Sequence, residues 1–254
     1  MAERDKELQL LEKRFAELAD RAWQQNLFVF TGFLSLAEQE VLWRSAAKAG
    51  VHIELYGGMD GAERCMGRFG DPEEFGYEEP FPICAVKIEP LAEKFAENFS
   101  HRDFMGAILN LGIDRSTIGD ICVEGKCAYV FCTSAMSVFL QETLEQVRHT
   151  KVRCVPVEKL EALPEKKLSY REEHVASLRC DGIVSAVWRL PRSQGQTLFS
   201  QKKVFVNGRL RENGSQMLKD GDTVSVRGFG KFIFRGEKNT TKKGRLVIGA
   251  DLFV

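Results

Sequence analysis

The last third of the chain reads Leu178-Arg179-Cys180-Asp181-Gly182-Ile183-Val184, then Pro191-Arg192-Ser193, Lys202-Lys203-Val204-Phe205-Val206-Asn207-Gly208 and Gly221-Asp222-Thr223-Val224-Ser225-Val226-Arg227. This order predicts two short helices, a strand, a tight turn and a further strand. Asn-Gly is the strongest turn signal in the stretch, because both residues tolerate the positive φ that a two-residue hairpin requires. The stretch therefore predicts a small α+β domain over residues 178–254.

The net charge of zero hides a strong division of charge along the chain. Residues 178–254 hold fifteen Lys and Arg against six Asp and Glu, about +9, and residues 1–177 hold twenty-one against thirty, about −9. A basic domain on an otherwise acidic chain is typical of a surface that binds a polyanion. We therefore expect the C-terminal domain to face nucleic acid and the acidic part to face away from it.

Composition excludes several classes of protein. No run of eighteen apolar residues is present, so no membrane span is predicted. The charged start Glu3-Arg4-Asp5-Lys6-Glu7 lacks the apolar core of a signal peptide, which favours the cytoplasm. The seven Cys residues contain no CxxC pair, and the spacing of Cys122, Cys127 and Cys132 does not suit zinc. We expect reduced thiols, no metal and no cofactor.

Residues 1–78 read as an N-terminal α/β subdomain. Apolar residues recur at helical spacing through residues 4–24. Ser35 and Glu38 form a capping box that opens a second helix, which should run to Ala49 and stop at Gly50. A strand over residues 51–56 and a glycine turn at Gly57-Gly58 should follow. That turn lacks a phosphate-binding pattern, so a structural role is favoured.

Residues 79–156 show the order β-α-β-β-α-β. Strands are predicted at 83–88, 118–123, 128–132 and 152–155, and helices at 101–111 and 135–147. The simplest packing of this order is a four-stranded antiparallel sheet with two helices on one face, a ferredoxin-like or RRM-like domain. Residues 157–177, rich in Glu and Lys and containing Pro164, are predicted to be a linker.

Two aromatic residues of the third predicted strand of this domain allow two interpretations. Tyr129 and Phe131 alternate onto one sheet face, where RRM domains stack RNA bases. Lys126 and Cys127 stand where the RNA-stacking pattern has Gly and an aromatic residue. The same two rings could instead pack against the N-terminal subdomain, and this alternative stays open. They are candidates for a secondary RNA contact.

Three blocks of sequence resemble the bacterial YlmH-type proteins, over nearly the whole chain. The blocks are Gly57-Gly58 with Ala62-Glu63-Arg64; His101-Arg102-Asp103-Phe104-Met105-Gly106-Ala107 with Leu111-Gly112-Ile113 and Ile118-Gly119-Asp120-Ile121; and a C-terminal module closing on Arg227-Gly228-Phe229-Gly230-Lys231-Phe232. That module resembles an S4-type RNA-binding domain. The resemblance implies a fold of three parts, with the S4-like domain at residues 178–254.

The S4 resemblance implies a set of residues that contact RNA. Arg192 would open the second helix and present its cation and free N–H groups to phosphate. The full set of candidate contacts is Arg179, Arg192, Ser193, Lys202, Lys203, Asn207, Arg209, Arg211, Arg227 and Lys231. Two residues depart from the S4 pattern: Pro191 removes a capping hydroxyl, and Gly195 lies inside the second helix.

The resemblance implies a binding protein of ribosome-associated quality control. It would act as a monomer on the large ribosomal subunit, holding 23S rRNA, tRNA or both while stalled nascent chains are tailed. An RNA-modifying enzyme with an S4 targeting module is one alternative, but no catalytic motif of that kind is found, and Arg179-Cys180-Asp181 is expected to begin a helix. A protein-interaction adaptor linked to cell division is another. No catalytic residue is predicted.

Overall fold

A computed structural model of the chain describes residues 2–158, 168–241 and 244–253, with side chains from residue 9 onward. The fold is mixed α+β. It divides into two units, Met1–Glu165 and Lys166–Val254. The predicted N-terminal and middle domains thus share the first unit, and each unit is described by itself below.

The N-terminal part of the first unit is a small sheet covered by two helices. Its elements are α1 (Ala2–Gln25), β1 (Val29–Leu34), α2 (Leu36–Ala49), β2 (Ile53–Tyr56), β3 (Cys65–Phe69) and α3 (Pro72–Phe75). The sheet order is β1-β3-β2. Local signals set α2 as predicted: the Ser35 backbone N–H donates to the Glu38 carboxylate at 2.7 Å, and Gly50 ends the helix in the left-handed region at φ 65°. Phe15, Val41 and Phe69 lie in its core.

The middle part of the first unit follows the predicted order of helices and strands. Its elements are β4 (Ile83–Pro90), α4 (His101–Leu109), β5 (Ile118–Glu124), β6 (Cys127–Thr133), α5 (Ser134–Thr143), β7 (Gln146–Val147) and β8 (Thr150–Val157). The sheet order is β5-β6-β4-β8-β7. The fifth strand was not predicted. It exists because Gln146–Val147 turns back to pair with Thr150–Lys151, so α5 ends at Thr143 instead of continuing to 147.

A partly buried polar joint connects the two parts of the first unit. Arg64 donates to the carbonyls of Phe33 at 2.7 Å, Arg115 at 3.0 Å and Ile118 at 3.0 Å. Asp120 accepts from the backbone N–H groups of Glu63 at 2.8 Å and Arg64 at 3.1 Å. Burial lowers the pKa of Arg64, and burial together with the Arg64 charge lowers the pKa of Arg115 to about 10. An arginine guanidinium stays protonated at neutral pH in proteins, so both groups remain charged hydrogen-bond donors to these carbonyls.

The second unit is a six-stranded antiparallel sheet with two helices. Its elements are β9 (Leu168–Val175), α6 (Cys180–Val187), α7 (Arg192–Ser200), β10 (Val204–Val206), β11 (Arg209–Leu210), β12 (Thr223–Val226), β13 (Gly230–Thr240) and β14 (Leu246–Phe253). The sheet order is β11-β10-β12-β13-β14-β9. Ile183, Val184 and Phe199 of the helices share one core with Phe232 and Phe234 of the sheet.

The predicted linker over residues 157–177 is wrong for residues 168–175. These residues form β9, which pairs antiparallel with β14 at eight positions, from Val175 opposite Leu246 to Leu168 opposite Phe253. Val175 is 4% exposed and belongs to the core of the second unit. The strand was not predicted because it is an edge strand in which most side chains are polar, so it lacks the alternation of apolar residues that indicates a strand. The rest of the predicted linker, apart from residues 157 and 158 and residues 176 and 177, lies outside the described residues.

None of the helices that the structure describes is both long and apolar enough to cross a membrane.

Candidate nucleic-acid interface

The two helices of the second unit cross at very short range. Gly195 of α7 is buried, and a Cβ placed on it would collide with the Ser185 side chain of α6. The Ser185 hydroxyl donates to the Asp181 carbonyl at 2.8 Å, which holds the side chain in place. The glycine that departs from the S4 pattern therefore has a packing reason, and α7 is helical from Arg192 to Ser200.

The N-terminus of α7 offers cations and unsatisfied donors. Pro191 occupies the N-cap position and no side chain caps the helix. The first backbone N–H groups of a helix lack intrahelical partners and favour an anion. Arg192 and Ser193 are exposed at this end. Arg189, which the sequence analysis missed, is exposed three residues earlier in the left-handed region at φ 53°. Arg189 could have been recognised in the sequence as a cation in the short segment between the two predicted helices.

Further predicted cations gather where α7 meets the β10–β11 hairpin. Lys202 is exposed, and its Nζ lies 3.3 Å from the Glu212 carboxylate. The backbone of Lys203 bonds to Leu198 and to Arg227, each within 3.0 Å, and the side chain of Lys203 is half-buried. The Arg211 backbone N–H donates to the Val204 carbonyl at 2.9 Å, beside them. Lys202, Lys203 and Arg211 are therefore brought together at one end of the hairpin.

Asn207 serves the hairpin itself. It adopts φ 49°, followed by Gly208 at φ 72°, and Val206 pairs with Arg209 across the turn, as the Asn-Gly signal predicts. Its amide nitrogen donates to Asp222 at 2.8 Å and its amide oxygen accepts from the Thr223 N–H at 2.9 Å. Both ends of the side chain are thus engaged in the fold. Arg209 is half-buried on the short edge strand next to the turn.

Arg179 also has a structural partner. Its guanidinium binds the Asp181 carboxylate through Nε at 3.1 Å and Nη2 at 2.7 Å. Asp181 is 2% exposed and accepts a further bond from the Gly182 N–H at 2.8 Å. The Arg179 hydrogen bond holds the pKa of Asp181 below its usual range, and the same bond raises the pKa of Arg179. Because the Asp181 carboxylate neutralises the charge of Arg179, Arg179 attracts phosphate less than an unpaired arginine would.

Arg227 and Lys231 lie on the other face of the sheet. Because Val204, Val206, Phe232 and Phe234 point into the helix-covered core, their alternating neighbours point outward. The Arg227 guanidinium lies 4.7 Å from the ring centroid of Phe205, and the Lys231 ammonium lies 4.7 Å from that of Phe253. The predicted single surface is therefore divided: Arg192, Ser193 and Lys202 lie with the helices, and Arg227 and Lys231 lie on the opposite sheet face.

The aromatic pair of the middle sheet has two different environments. Phe131 is fully buried and packs with Phe33 and Met66 of the N-terminal part, and Gly58 leaves the space that its ring occupies. The prediction that Phe131 stacks on a base is therefore wrong, because its ring has no free face. The alternative prediction, packing against the N-terminal subdomain, holds for this residue. Tyr129 is half-buried on the uncovered part of the same face.

The described ranges contain no group of three or more His, Cys, Asp or Glu side chains placed to hold a metal ion.

Comparisons with known proteins identify relatives of the chain. Residues 77–161 match a family model described as "Putative RNA-binding domain in YlmH". Over 227 residues the chain is 28% identical to the ribosome-associated protein quality control protein P2 of Bacillus subtilis (strain 168), covering 87% of this chain and 86% of that protein. The matched domain model lies in the middle part of the first unit, and not in the basic second unit.

The solved structure of the cell division protein ylmH from Streptococcus pneumoniae superposes with a TM-score of 0.52 at 18% identity. The match covers 62% of this chain and 95% of that chain. At this identity the likeness supports the fold alone.

Proposed function

We propose that this chain, which is a YlmH-type protein, binds structured RNA of the ribosome and acts in ribosome-associated quality control. The observation that carries the proposal is the uncapped N-terminus of α7 with Arg189 and Arg192 exposed beside it, in a unit with a large excess of cations. Such an end suits phosphate, since the helix dipole, the free N–H groups and the guanidinium groups all favour an anion. The name of the Bacillus subtilis relative supports the ribosome as the setting.

We further propose that the second unit is an S4 domain that binds 23S rRNA, tRNA or both on the large subunit. Its two crossed helices followed by a short hairpin support this assignment. The middle part of the first unit would be an RRM-like domain, which its strand order supports. We further propose a cytoplasmic monomer.

The proposed role is binding without catalysis. The one segment that resembles a catalytic loop is Arg179-Cys180-Asp181, and its carboxylate is buried and held by Arg179. Burial also raises the pKa of the Cys180 thiol to about 12, so this thiol stays protonated. Mass analysis of rRNA and tRNA after incubation with the protein should therefore find no modified nucleotide. A new modified nucleotide would favour the RNA-modifying enzyme.

Sedimentation with isolated large and small ribosomal subunits, and tRNA binding, test the proposal over a series of salt concentrations. Wild type should bind the large subunit or tRNA, with an affinity that falls steeply with salt. The variant with Arg192→Ala and Lys202→Ala should bind more weakly, with a salt slope shallower by about one to two units. The matched control, Lys219→Ala with Lys238→Ala, removes two exposed cations of the same unit outside the proposed surface.

Comparing the two sets of variants distinguishes binding through the proposed surface from attraction by the overall positive charge of the unit. Equal losses in the Arg192 and Lys219 variants would contradict the proposed surface. Absence of wild-type binding to both the large subunit and tRNA would overturn the proposed function itself.

A further inference from the structure

The middle part of the first unit contains a cavity of about 540 Å³ beside α4. The walls are α4, the end of α5 and the β7–β8 hairpin. The lining is mixed: Ala107, Leu111 and Leu144 supply apolar surface, and the polar and charged side chains include Arg102, Asp103, Asn110, Glu145, Gln146 and Arg148. Its volume lies in the range of roughly 300–1,000 Å³ that is usual for small-ligand sites. The cavity falls wholly within the residues that match the RNA-binding family model.

Gly106 lies in the interior of α4 and lines this cavity. A glycine there costs about 1 kcal/mol of helix stability relative to Ala. At Gly195 the cost has a packing reason, but a Cβ on Gly106 would meet no atom within 4 Å. Packing within the protein therefore does not require this glycine. At the wall of a cavity, a glycine leaves room for a ligand to approach the backbone closely.

The charges around the cavity leave one cation available. Asp103 accepts from the Ser100 N–H at 2.8 Å and from its hydroxyl at 2.7 Å, and these bonds lower the pKa of Asp103. Arg148, at φ 51° in the hairpin turn, lies 3.3 Å from Glu97 and 3.8 Å from Asp103. Arg102 is exposed, and among the described residues none forms an ion pair with it. Arg102 is thus the cation that a ligand would meet at the mouth.

The sheet face that RRM domains use is largely closed in this protein. Phe131 is buried under the N-terminal part. On the uncovered half, Glu89 binds Lys87 at 2.7 Å and Arg153 at 2.6 Å, so these cations already have a partner. The hydrogen bonds from Lys87 and Arg153 lower the pKa of Glu89, which keeps the carboxylate charged. Phosphate would have to compete with this carboxylate, whereas Arg102 forms no ion pair within the described part of the chain and has only the charge of the neighbouring Asp103 near it.

We infer that the cavity beside α4 takes one unpaired nucleotide of RNA. The base enters the cavity over Gly106, where the Asn110 amide and the amide oxygen of Gln146 can bond to its polar edge; the Gln146 amide nitrogen donates to the Arg148 carbonyl. Its phosphate stays at the mouth on Arg102. Bases are read in this way only when they are unpaired and turned out of a helix. The inference rests on the proposed function and places the RNA contact of the middle part on the helix side, away from Tyr129.

The test uses the full-length chain carrying Arg192→Ala and Lys202→Ala, so that binding by the second unit is weakened. The probe is a random single-stranded RNA decamer, and affinity is measured at low salt. Gly106→Met fills the cavity from a position where a Cβ has free space, and Arg102→Gln removes the cation. Each should weaken binding by about fivefold or more, the effect of losing one base or phosphate contact.

Two controls make the same kind of change elsewhere in the first unit. Val138→Met enlarges an exposed side chain of α5, and Arg44→Gln removes an exposed cation of α2. Both should bind like their parent. Circular dichroism checks that every variant is folded, and Arg102→Gln, a surface change, keeps the test valid should Gly106→Met not fold.

Cross-linking of the decamer, followed by mass analysis of peptides, gives an independent readout. Cross-links should map to α4 and the β7–β8 hairpin. Unchanged affinity in both cavity variants, or cross-links confined to the Tyr129 face, would overturn the inference. If large-subunit binding through the second unit persists in that case, the proposed function stands. Loss of all wild-type RNA binding would instead overturn the proposed function.

Discussion

The interpretation of Gly195 differs between the sequence and the structure. In the sequence it is a helix breaker inside α7, and in the structure it allows α6 and α7 to touch. Gly182 in α6 is its opposite, because the nearest atom to a Cβ there, the Ser177 carbonyl oxygen, lies 4.0 Å away. The same substitution should therefore have opposite effects at the two positions.

We expect Gly195→Ala to destabilise the second unit by about 1–3 kcal/mol, because the added methyl group overpacks the crossing. Gly182→Ala should stabilise it by up to about 1 kcal/mol through helix propensity. Urea unfolding followed by Trp188 fluorescence measures both, in a background where the exposed Trp23 and Trp43 are replaced by Phe. The packing interpretation fails if the two variants shift the midpoint in the same direction.

At the scale of elements, the joint between β1, β3 and β5 explains two blocks of the family resemblance. The block around Arg64 and the block around Asp120 are more than fifty residues apart in the chain and meet in this joint. Neither block could be interpreted alone, because a half-buried arginine and its distant carbonyl partners leave no local pattern. The Ser35–Glu38 capping box and the Asn-Gly turn, in contrast, could be predicted because the residues that pair in them are three positions apart in the chain.

Arg64→Lys should weaken this joint. A lysine cannot reproduce the fork that serves three carbonyls. The Ile118 carbonyl would keep its bond from Arg115, but the carbonyls of Phe33 and Arg115 would lose a partner, at a cost of about 1–3 kcal/mol. Hydrogen exchange should become faster at the amides of β1 and β5. Arg44→Lys is the control, since Arg44 is exposed and its ion pair with Glu12 is long, with 3.9 Å between Nη2 and the carboxylate oxygen. Equal exchange rates in both variants would show that the joint contributes no stability.

At the scale of the whole molecule, the second unit begins before the point where the sequence suggested. A fragment of residues 166–254 should unfold cooperatively, because it keeps β9 and Val175 of the core. A fragment of residues 178–254 should unfold at a lower temperature or without cooperativity, since it leaves β14 unpaired along eight positions. Thermal unfolding monitored by Trp188 fluorescence compares them. Equal midpoints would mean that β9 adds nothing to the fold.

Local sequence was sufficient to predict the two helices and four longer strands of the middle part in their order, the caps of α2, the Asn207-Gly208 turn and the division of charge. These features depend on residues close together in the chain, or on composition. Four features became known from the three-dimensional structure: Phe131 is buried, Arg179 is paired with Asp181, Arg192 and Arg227 lie on opposite sides of a sheet, and β9 belongs to the second unit. Each of these features depends on which segments, far apart in the chain, pack together. A local sequence pattern does not predict such contacts.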